Sequence, residues 1–589
     1  MLFYLFAVAA FASSAPETVR SAAPEAAAPS SNAMQAANDA WERGDSSKAV
    51  ALARPLADSG NGEAMHLLGR AYELGAGVSA DPSEAARLYR RAADAGHVPA
   101  LAFLGVLYEN GTGVAKDLDK ANALYRQGSE KGDSTATYYL ALNHFAGIGM
   151  PLRPEEGVRL ARPLAEGGHG GAMHLLGTAY DNGEGVAEDD STSLSWFRRC
   201  ADLGEGPCLR SLGLMYEYGR GVPKDLKTAF AWYSKAAAKG VAAAYADVGM
   251  AHHYGYGGKA DYREAMRWYR KAADQSVALG YAGMGDLHRE GLGVAKNPAE
   301  AFRMYEKAAA GGNKASVAAM ASMLEAGEGV AADPGRAFAL WRQGAETGDA
   351  EAMYGLGDAY RRGVGIDKDW PKALDWMTRA AEAGSTGSMV QLGYAYEVGE
   401  GPAQDPARAL HWYRRAADLD DRTAVTNLGL MYRNGRGVEV DFAEAFRLFE
   451  RADRLDDARG RLFLALAYVN GEGVAKDEKR GFAMVRKLAD TGNAEAIASL
   501  GLLYESGAGT GKDAREAVRL YRKAADLGDS VAMRYLGQCY SDGIGVRRDL
   551  DAAAAWLRKA KAAGDGEAAS LLNAVILEKN RAGLQPRPR

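Results

Sequence analysis

Glycine recurs in this chain with a period of 36 residues, and no other feature restricts the fold as severely. Stepping by 36 from Gly75 gives Gly111, Gly147, Gly183, Gly219 and so on to Gly543, fourteen positions that are all glycine. Two residues further on, Gly77 through Gly545 are fourteen glycines again, and no insertion or deletion disturbs the register over 504 residues. A fixed period of this length predicts one supersecondary unit stacked many times. The four separate domains that 589 residues would otherwise suggest therefore give way to the expectation of one continuous core.

The unit can be read from its first copy, Gly62–His97, GEAMHLLGRAYELGAGVSADPSEAARLYRRAADAGH. Ala64, Leu68 and Tyr72 repeat at i, i+4, i+8, the apolar stripe of a first helix, A. Gly-x-Gly breaks it, because glycine adopts the positive φ that other residues resist. The Asp81 column holds Asp in twelve copies, with Arg153 and Asn297 as exceptions, and Asp is a good N-cap for a second helix, B. Ala85, Leu88, Tyr89 and Ala92 form the stripe of helix B, and glycine ends it in eleven of fourteen copies of the Gly96 column. One such αα-hairpin cannot bury both stripes alone, so stacking is required. Glycine in the Gly69 column is expected to let neighbouring helices approach closely, with Tyr72-type, Leu88-type and Tyr89-type side chains filling the gaps between layers.

The expected fold is all-α, a right-handed superhelical α-solenoid of fourteen hairpins over residues 62–565. Residues 33–61 form an N-terminal capping helix pair, and residues 566–589 a capping helix, from Glu567 to Asn580, with a disordered tail. Leu2–Ala12 is an uncharged apolar run of eleven, too short to span a membrane and of the length of a secretory signal core. Residues 1–15 are read as a signal peptide, although no Lys or Arg precedes the run, and the Ala/Pro/Ser-rich residues 16–32 as a linker. Lys+Arg 71 against Asp+Glu 76 gives a net charge of −5 with the signs interleaved along the sequence. Nucleic acid is therefore not an expected partner.

The run A-x3-LG-x2-Y-x2-G-x-GV-x2-D, followed by a helix ending as in Trp412–Asp418 (WYRRAAD), resembles the Sel1-like repeat, a tetratricopeptide-like α-solenoid. The resemblance covers about residues 33–580. It implies a scaffold or adaptor role, and in bacterial members often export and assembly of envelope complexes. The reading is a noncatalytic scaffold in the periplasm or secreted, binding a protein or peptide of unknown identity along the groove and not membrane-spanning after signal removal. The alternatives are a cytoplasmic adaptor of the same fold and a β-lactamase-like or penicillin-binding-like envelope enzyme.

Motifs for chemistry are missing. The Gly-x-Gly elements follow a helix rather than a strand and lack the third glycine of a dinucleotide fingerprint. Gly507–Asp513 (GAGTGKD) is preceded by Ser506 where a P-loop needs its first glycine. The sequence contains no G-x-S-x-G, no Ser-x-x-Lys and no H-E-x-x-H, so no catalytic residue, cofactor or metal ligand is assigned. His252 and His253 sit side by side, but adjacent helical residues diverge by about 100°. His252 belongs to the Tyr72 column and is expected in the core. His253 belongs to the Glu73 column and is expected to face solvent.

Surface residues remain. In tetratricopeptide-like pairs helix A lines the concave groove, which the resemblance carries over to Tyr218, His253, Tyr254, Tyr354, Arg361, Arg362 and Tyr394 as groove contacts. Tyr and Arg are residue types that carry interface energy. Cys200 and Cys208 flank Gly204 symmetrically, at the end of one helix B and the start of the next helix A. Their columns otherwise hold mostly Ala, Gly or Ser, which indicates close backbones, and a disulfide is expected there. The spacing also resembles that of bridged pairs in cysteine-rich exported relatives. Cys539 is read as a buried free thiol.

Overall fold

The structure, a computed structural model, describes residues 29–584. The signal segment, most of the linker and the last five residues lie outside them. Among the described residues the chain forms thirty-one helices and no strand. The first helix, Pro29–Glu42, starts inside the stretch read as linker. Proline suits a helix start, and Met34, Ala37 and Ala40 then bury at helical spacing. The last helix, Ala568–Leu584, continues past Asn580 into the stretch read as tail, which carries no proline before Pro586. Between these ends lie fourteen hairpins, called layers 1 to 14 here, layer 1 being residues 62–97. The chain divides into two compact units, one running to Ser316 with Glu328–Val330, the other comprising Val317–Gly327 and Ala331 onward. The same construction rules hold inside each.

Within a layer, Asp81 accepts from the backbone N–H of Ser83 and Glu84 to start helix B, and Asp225 does the same for Lys227 and Thr228. Residues of the His97 column start most A helices in the same way: Asp133, Asp349 and Asn493 accept from the amide three residues on, whereas Glu205, Val241 and Val277 provide no such cap. Glycine of the Gly69 column has its role inside the hairpin. A Cβ on Gly69 would stand 2.6 Å from the Tyr89 ring, and one on Gly213 would stand 2.4 Å from Tyr233. The glycine is the bed on which the aromatic ring of its own helix B lies, and the same ring reaches the next layer as expected, Tyr125 stacking on Tyr139 with centroids 5.2 Å apart and Tyr89 meeting Phe103 at 5.5 Å. Alanine replaces this glycine at Ala141 and Ala465, where the ring column holds Ala161 and Val485, and at Ala321, where it holds Trp341.

Two features join successive layers. The second connector glycine has φ near 70° and no room: a Cβ on Gly113 would come 2.2 Å from the Pro82 carbonyl, at the start of the preceding helix B. Both its conformation and its contact exclude a side chain. In addition, an arginine on helix B donates to the tyrosine hydroxyl of the next helix A: Arg90 to Tyr108 at 2.6 Å, Arg162 to Tyr180 at 3.0 Å, Arg414 to Tyr432 at 2.6 Å and Arg522 to Tyr540 at 2.7 Å. These tyrosines are therefore half-buried, with their hydroxyls directed at helix B of the layer before.

The fully buried residues group into clusters along the stack, with half-buried side chains such as Tyr108 packed against two of them. The largest joins residues from Ala121 to Ala272, and another joins Met34 to Leu107. Polar residues mark the break between these two. Tyr125 donates to Glu109 (2.9 Å), Asn143 to Asn122 (2.9 Å) and Glu109 (3.3 Å), and Asn122 to the Ile148 carbonyl (2.9 Å), all in the interior. Such buried groups are tolerated where they satisfy one another, and of these the Asn143 Oδ1 is left without a partner.

Candidate interaction surface

Helix A presents two kinds of outward residue, and the Glu73 column is the first. It does not face solvent as the sequence reading held. Glu109, Glu217 and His253 are 7%, 6% and 8% exposed, because this column meets the buried Tyr89 column of the same layer. Tyr89 donates to Glu73 (2.6 Å), Tyr125 to Glu109, Tyr233 to Glu217, Tyr413 to Glu397 (3.0 Å) and Tyr521 to Glu505 (2.7 Å). In layer 6, His253 takes the glutamate's place, with Nδ1 3.3 Å from the Tyr269 hydroxyl. In layer 7 Arg289 holds that column, and Tyr305 turns instead to Asp286 at 2.7 Å. His252, expected in the core, is half-buried with its ring edge-on to Phe230 at 5.1 Å. His253 is thus buried where solvent was expected, because the Glu73 column reaches inward to a tyrosine, and His252 is only half-buried where the core was expected.

The signal for this pairing was present in the sequence. Glutamate in the Glu73 column coincides with tyrosine sixteen residues later in five of its six occurrences, the exception being Glu325 with Trp341. The same column also pairs with a connector residue 39 positions later, in either polarity. Asp181–Arg220 (2.8 Å) and Glu397–Arg436 (2.8 Å) run one way; Arg289–Glu328 (2.8 Å), Arg361–Glu400 (3.5 Å) and Arg433–Glu472 (2.6 Å) run the other. All three arginines of the column find a glutamate at that offset.

The second kind of outward residue has no such work. Tyr218 and Tyr254 occupy the same column in layers 5 and 6 and are 63% and 64% exposed. Beneath them lies a polar assembly. Arg210 grips Asp247 of the next layer with two hydrogen bonds of 2.5 and 3.1 Å, and Asp247 is 2% exposed. Burial pushes the Asp247 carboxyl up, against the pull of Arg210. Glu217 accepts from Tyr233 and also from Tyr256 at 3.0 Å. His253 stacks on Tyr254 with ring centroids 4.5 Å apart, and Arg220 lies 5.7 Å over the Tyr218 ring.

The remaining predicted positions belong to the second unit. Tyr354 is half-buried, and burial raises its hydroxyl pKa. Tyr394 is 46% exposed. Arg361 pairs with Asp358 at 2.8 Å as well as with Glu400, and Arg362 pairs with Asp358 at 2.5 Å and with Glu325. Cys200 and Cys208 are joined by a disulfide, with Cα atoms 5.8 Å apart and both side chains buried. Cys539 is free and buried, its thiol pushed up to about 12 by burial. Among the described residues no group of three or more His, Cys, Asp or Glu is placed to hold a metal, and no helix is long and apolar enough to cross a membrane.

The class defined by these rules is an α-solenoid of repeated hairpins whose outward helix A residues vary over an invariant frame. The Sel1 repeat model matches fourteen times, from residues 62–97 and 98–133 through 494–529 to 530–565, and the chain belongs to the Sel1 repeat family. Among solved structures it is similar to a protective antigen of uropathogenic Escherichia coli strains displaying an SLR fold, at 32% identity over 72% of this chain and 90% of that one, TM-score 0.43. It is also similar to a Sel1 repeat protein from Oxalobacter formigenes, at 32% identity over 41% of this chain and 96% of that one, TM-score 0.36. No curated protein matches the chain.

Proposed function

We propose that the chain is a noncatalytic scaffold that holds a protein or peptide against the outward face of its A helices, outside the cytoplasm. The observation that carries this reading is the pair Tyr218 and Tyr254. Most other aromatic side chains of the repeat serve the frame, as hydroxyl donors or ring fillers, whereas these two rings are the most exposed aromatics among the described residues and stand in register on adjacent layers. Large aromatic side chains left outside a well-packed frame are typical interface anchors. Tyr354, Tyr394, Arg361 and Arg362 extend the same reading to the second unit.

Export is supported by the Cys200–Cys208 disulfide, since such bonds persist where the surroundings oxidise. The apolar run Leu2–Ala12 would then act as the core of a signal peptide ending at Ala15, followed by the linker. Cross-linking from the native cell through a photoreactive residue at position 254, followed by identification of the captured partner, tests the scaffold. Capture of nothing there or at position 394 refutes it. The compartment is tested separately by the mass of the mature N-terminus and by thiol counting without reductant. An uncleaved start with thiols free at Cys200 and Cys208 would place the same scaffold in the cytoplasm.

A further inference from the structure

Some layers are fastened to the element that follows by a side-chain contact spanning 31 residues, from the His66 column to the His97 column. Thr426 donates to Asp457 at 2.8 Å, and Arg534 to Asp565 at 3.0 Å. Both aspartates also cap the helix they precede, accepting from the Gly460 and Ala568 amides. In layer 1 the same link joins two histidines, His97 Nε2 lying 3.1 Å from His66 Nδ1. His97 forgoes the cap, and helix A of layer 2, Pro99–Asn110, starts without a side-chain cap. Hydroxyl, guanidinium and carboxylate groups ordinarily titrate outside pH 5–7, whereas imidazole titrates inside it. The N-terminal end of the stack is thus fastened by a link of a different chemical kind.

We propose that the His66–His97 pair is an acid-released latch that holds layer 1, with the two capping helices before it, on layer 2. A hydrogen bond between two imidazoles needs one unprotonated nitrogen as acceptor, and two imidazolium rings only repel. The first proton goes to His97, which is half-buried and feels Glu63 at the start of the layer 1 helix and Asp133 at the start of layer 3. The bond survives that step. His66 refuses the second proton: it is 9% exposed, the Tyr89 and Phe103 rings meet it edge-on at 5.5 and 4.7 Å, and the Arg70 cation acts on it from the same helix. The Tyr89 hydroxyl is committed to Glu73. Burial, with His97 and Arg70, lowers the His66 pKa to about 3, so in mild acid this proton is bound when layer 1 lifts off. Opening there breaks one interface between layers, because only the capping helices lie on the other side of layer 1. Trp41 of the first capping helix packs against Arg70 of layer 1 at 5.4 Å, and the capping helices leave with that layer.

The test is hydrogen exchange of the full chain at pH 7 and pH 5, expressed as protection factors so that the pH dependence of the chemical exchange rate is removed. The helices of residues 46–94 should lose about twentyfold in protection, the factor given by a histidine that returns on opening to its ordinary pKa. The helices of residues 530–562, fastened by Arg534 and Asp565, should lose less than about threefold. The double variant His66→Thr, His97→Asp installs the link of layer 11 and should keep its protection at pH 5. His66→Gln, which leaves a hydrogen-bonding side chain that takes no proton, should do the same and serves where the double variant folds poorly. Equal losses at the two ends of the stack overturn the proposal. An undiminished loss in either variant also overturns it, and traces the acid effect to the carboxylates.

Discussion

The two units place tyrosines on the same helix A surface and treat the surrounding charge in different ways. In layers 5 and 6 the neutralising contacts are sunk into the stack: Asp247 is 2% exposed, and its arginine partner has a side-chain exposure of 16%. In layers 9 and 10 they lie shallower, Arg362 being 42% exposed at its side chain and Glu400 44%. A deep pair is costly to break and leaves the surface above it free. A shallow one is cheap and occupies the surface itself. The comparison teaches that outward residues of a solenoid are available to a partner only where the frame has settled its charges underneath.

The sharpest way to break this contrast is to remove one member of each pair. Asp247→Ala removes the two hydrogen bonds that hold the largely buried Arg210 guanidinium, and should cost about 3–5 kcal/mol. Glu400→Ala removes a partner that is 44% exposed at its side chain and leaves Arg361 paired with Asp358, and should cost about 0–1 kcal/mol. Hydrogen exchange on both variants reads the effect. Loss of protection in the Asp247 variant should centre on layers 5 and 6, since repeats depend mainly on their neighbours. Equal destabilisation by the two substitutions would end the distinction.

Acid separates the units next. Eight of the nine histidines precede Ser316, and only His411 follows it. Burial lowers the pKa of His66 to about 3, helped by the neighbouring His97 and Arg70, and that of His174 to about 4. His97, His144, His169 and His253 are lowered too, by burial first. A folded-state pKa below the unfolded value means that the unfolded chain binds the proton first. Stability is therefore full above about pH 6.5 and falls as the pH drops towards the folded values. At pH 5, His66 and His174 should each cost about 2 kcal/mol. Between pH 7 and pH 5 the first unit should lose hydrogen-exchange protection while the second keeps it. A uniform response would show that carboxylates, which both units share, dominate instead.

Much of this was legible in the sequence, and the limit has a physical cause. The helix pairs, their caps, the glycine turns and the disulfide follow from residues close along the chain or from columns invariant across the copies. The direction of the Glu73 column was misread because one layer viewed alone offers no reason to turn a glutamate inward. The reason is Tyr89, sixteen residues away, and it emerges only when the two columns are compared copy by copy. Arg210 and Asp247 escaped for the opposite reason. They lie 37 residues apart and occur once, so no repetition could have announced them. Candidate surface residues were findable as types, whereas their exposure depends on such unrepeated contacts. Tyr218 and His253 both fell on outward columns by sequence, and the structure leaves one open and buries the other.

The smallest effect tests the frame where it departs from glycine. The Gly96 column ends helix B at positive φ, and three copies put another residue there: Ser276 at 59°, Asp420 at 58° and Asp456 at 57°. A left-handed backbone costs an ordinary residue roughly 1–2 kcal/mol, and the glycines of this column have empty space where a Cβ would lie, as at Gly96 and Gly240. Ser276→Gly should therefore stabilise the first unit by about 1 kcal/mol, reduced by the greater freedom of glycine in the unfolded chain. In the second unit the two aspartates have found compensation, Asp420 with Arg451 at 2.7 Å and Asp456 with Arg461 at 2.8 Å. Asp420→Gly should gain less than Ser276→Gly, because relief of the backbone is offset by loss of an exposed ion pair worth about 0–1 kcal/mol. Denaturant midpoints of the two variants, followed by a probe in the matching unit, give the comparison directly. If Asp420→Gly gains as much as Ser276→Gly, the arginine contributes nothing to holding that turn.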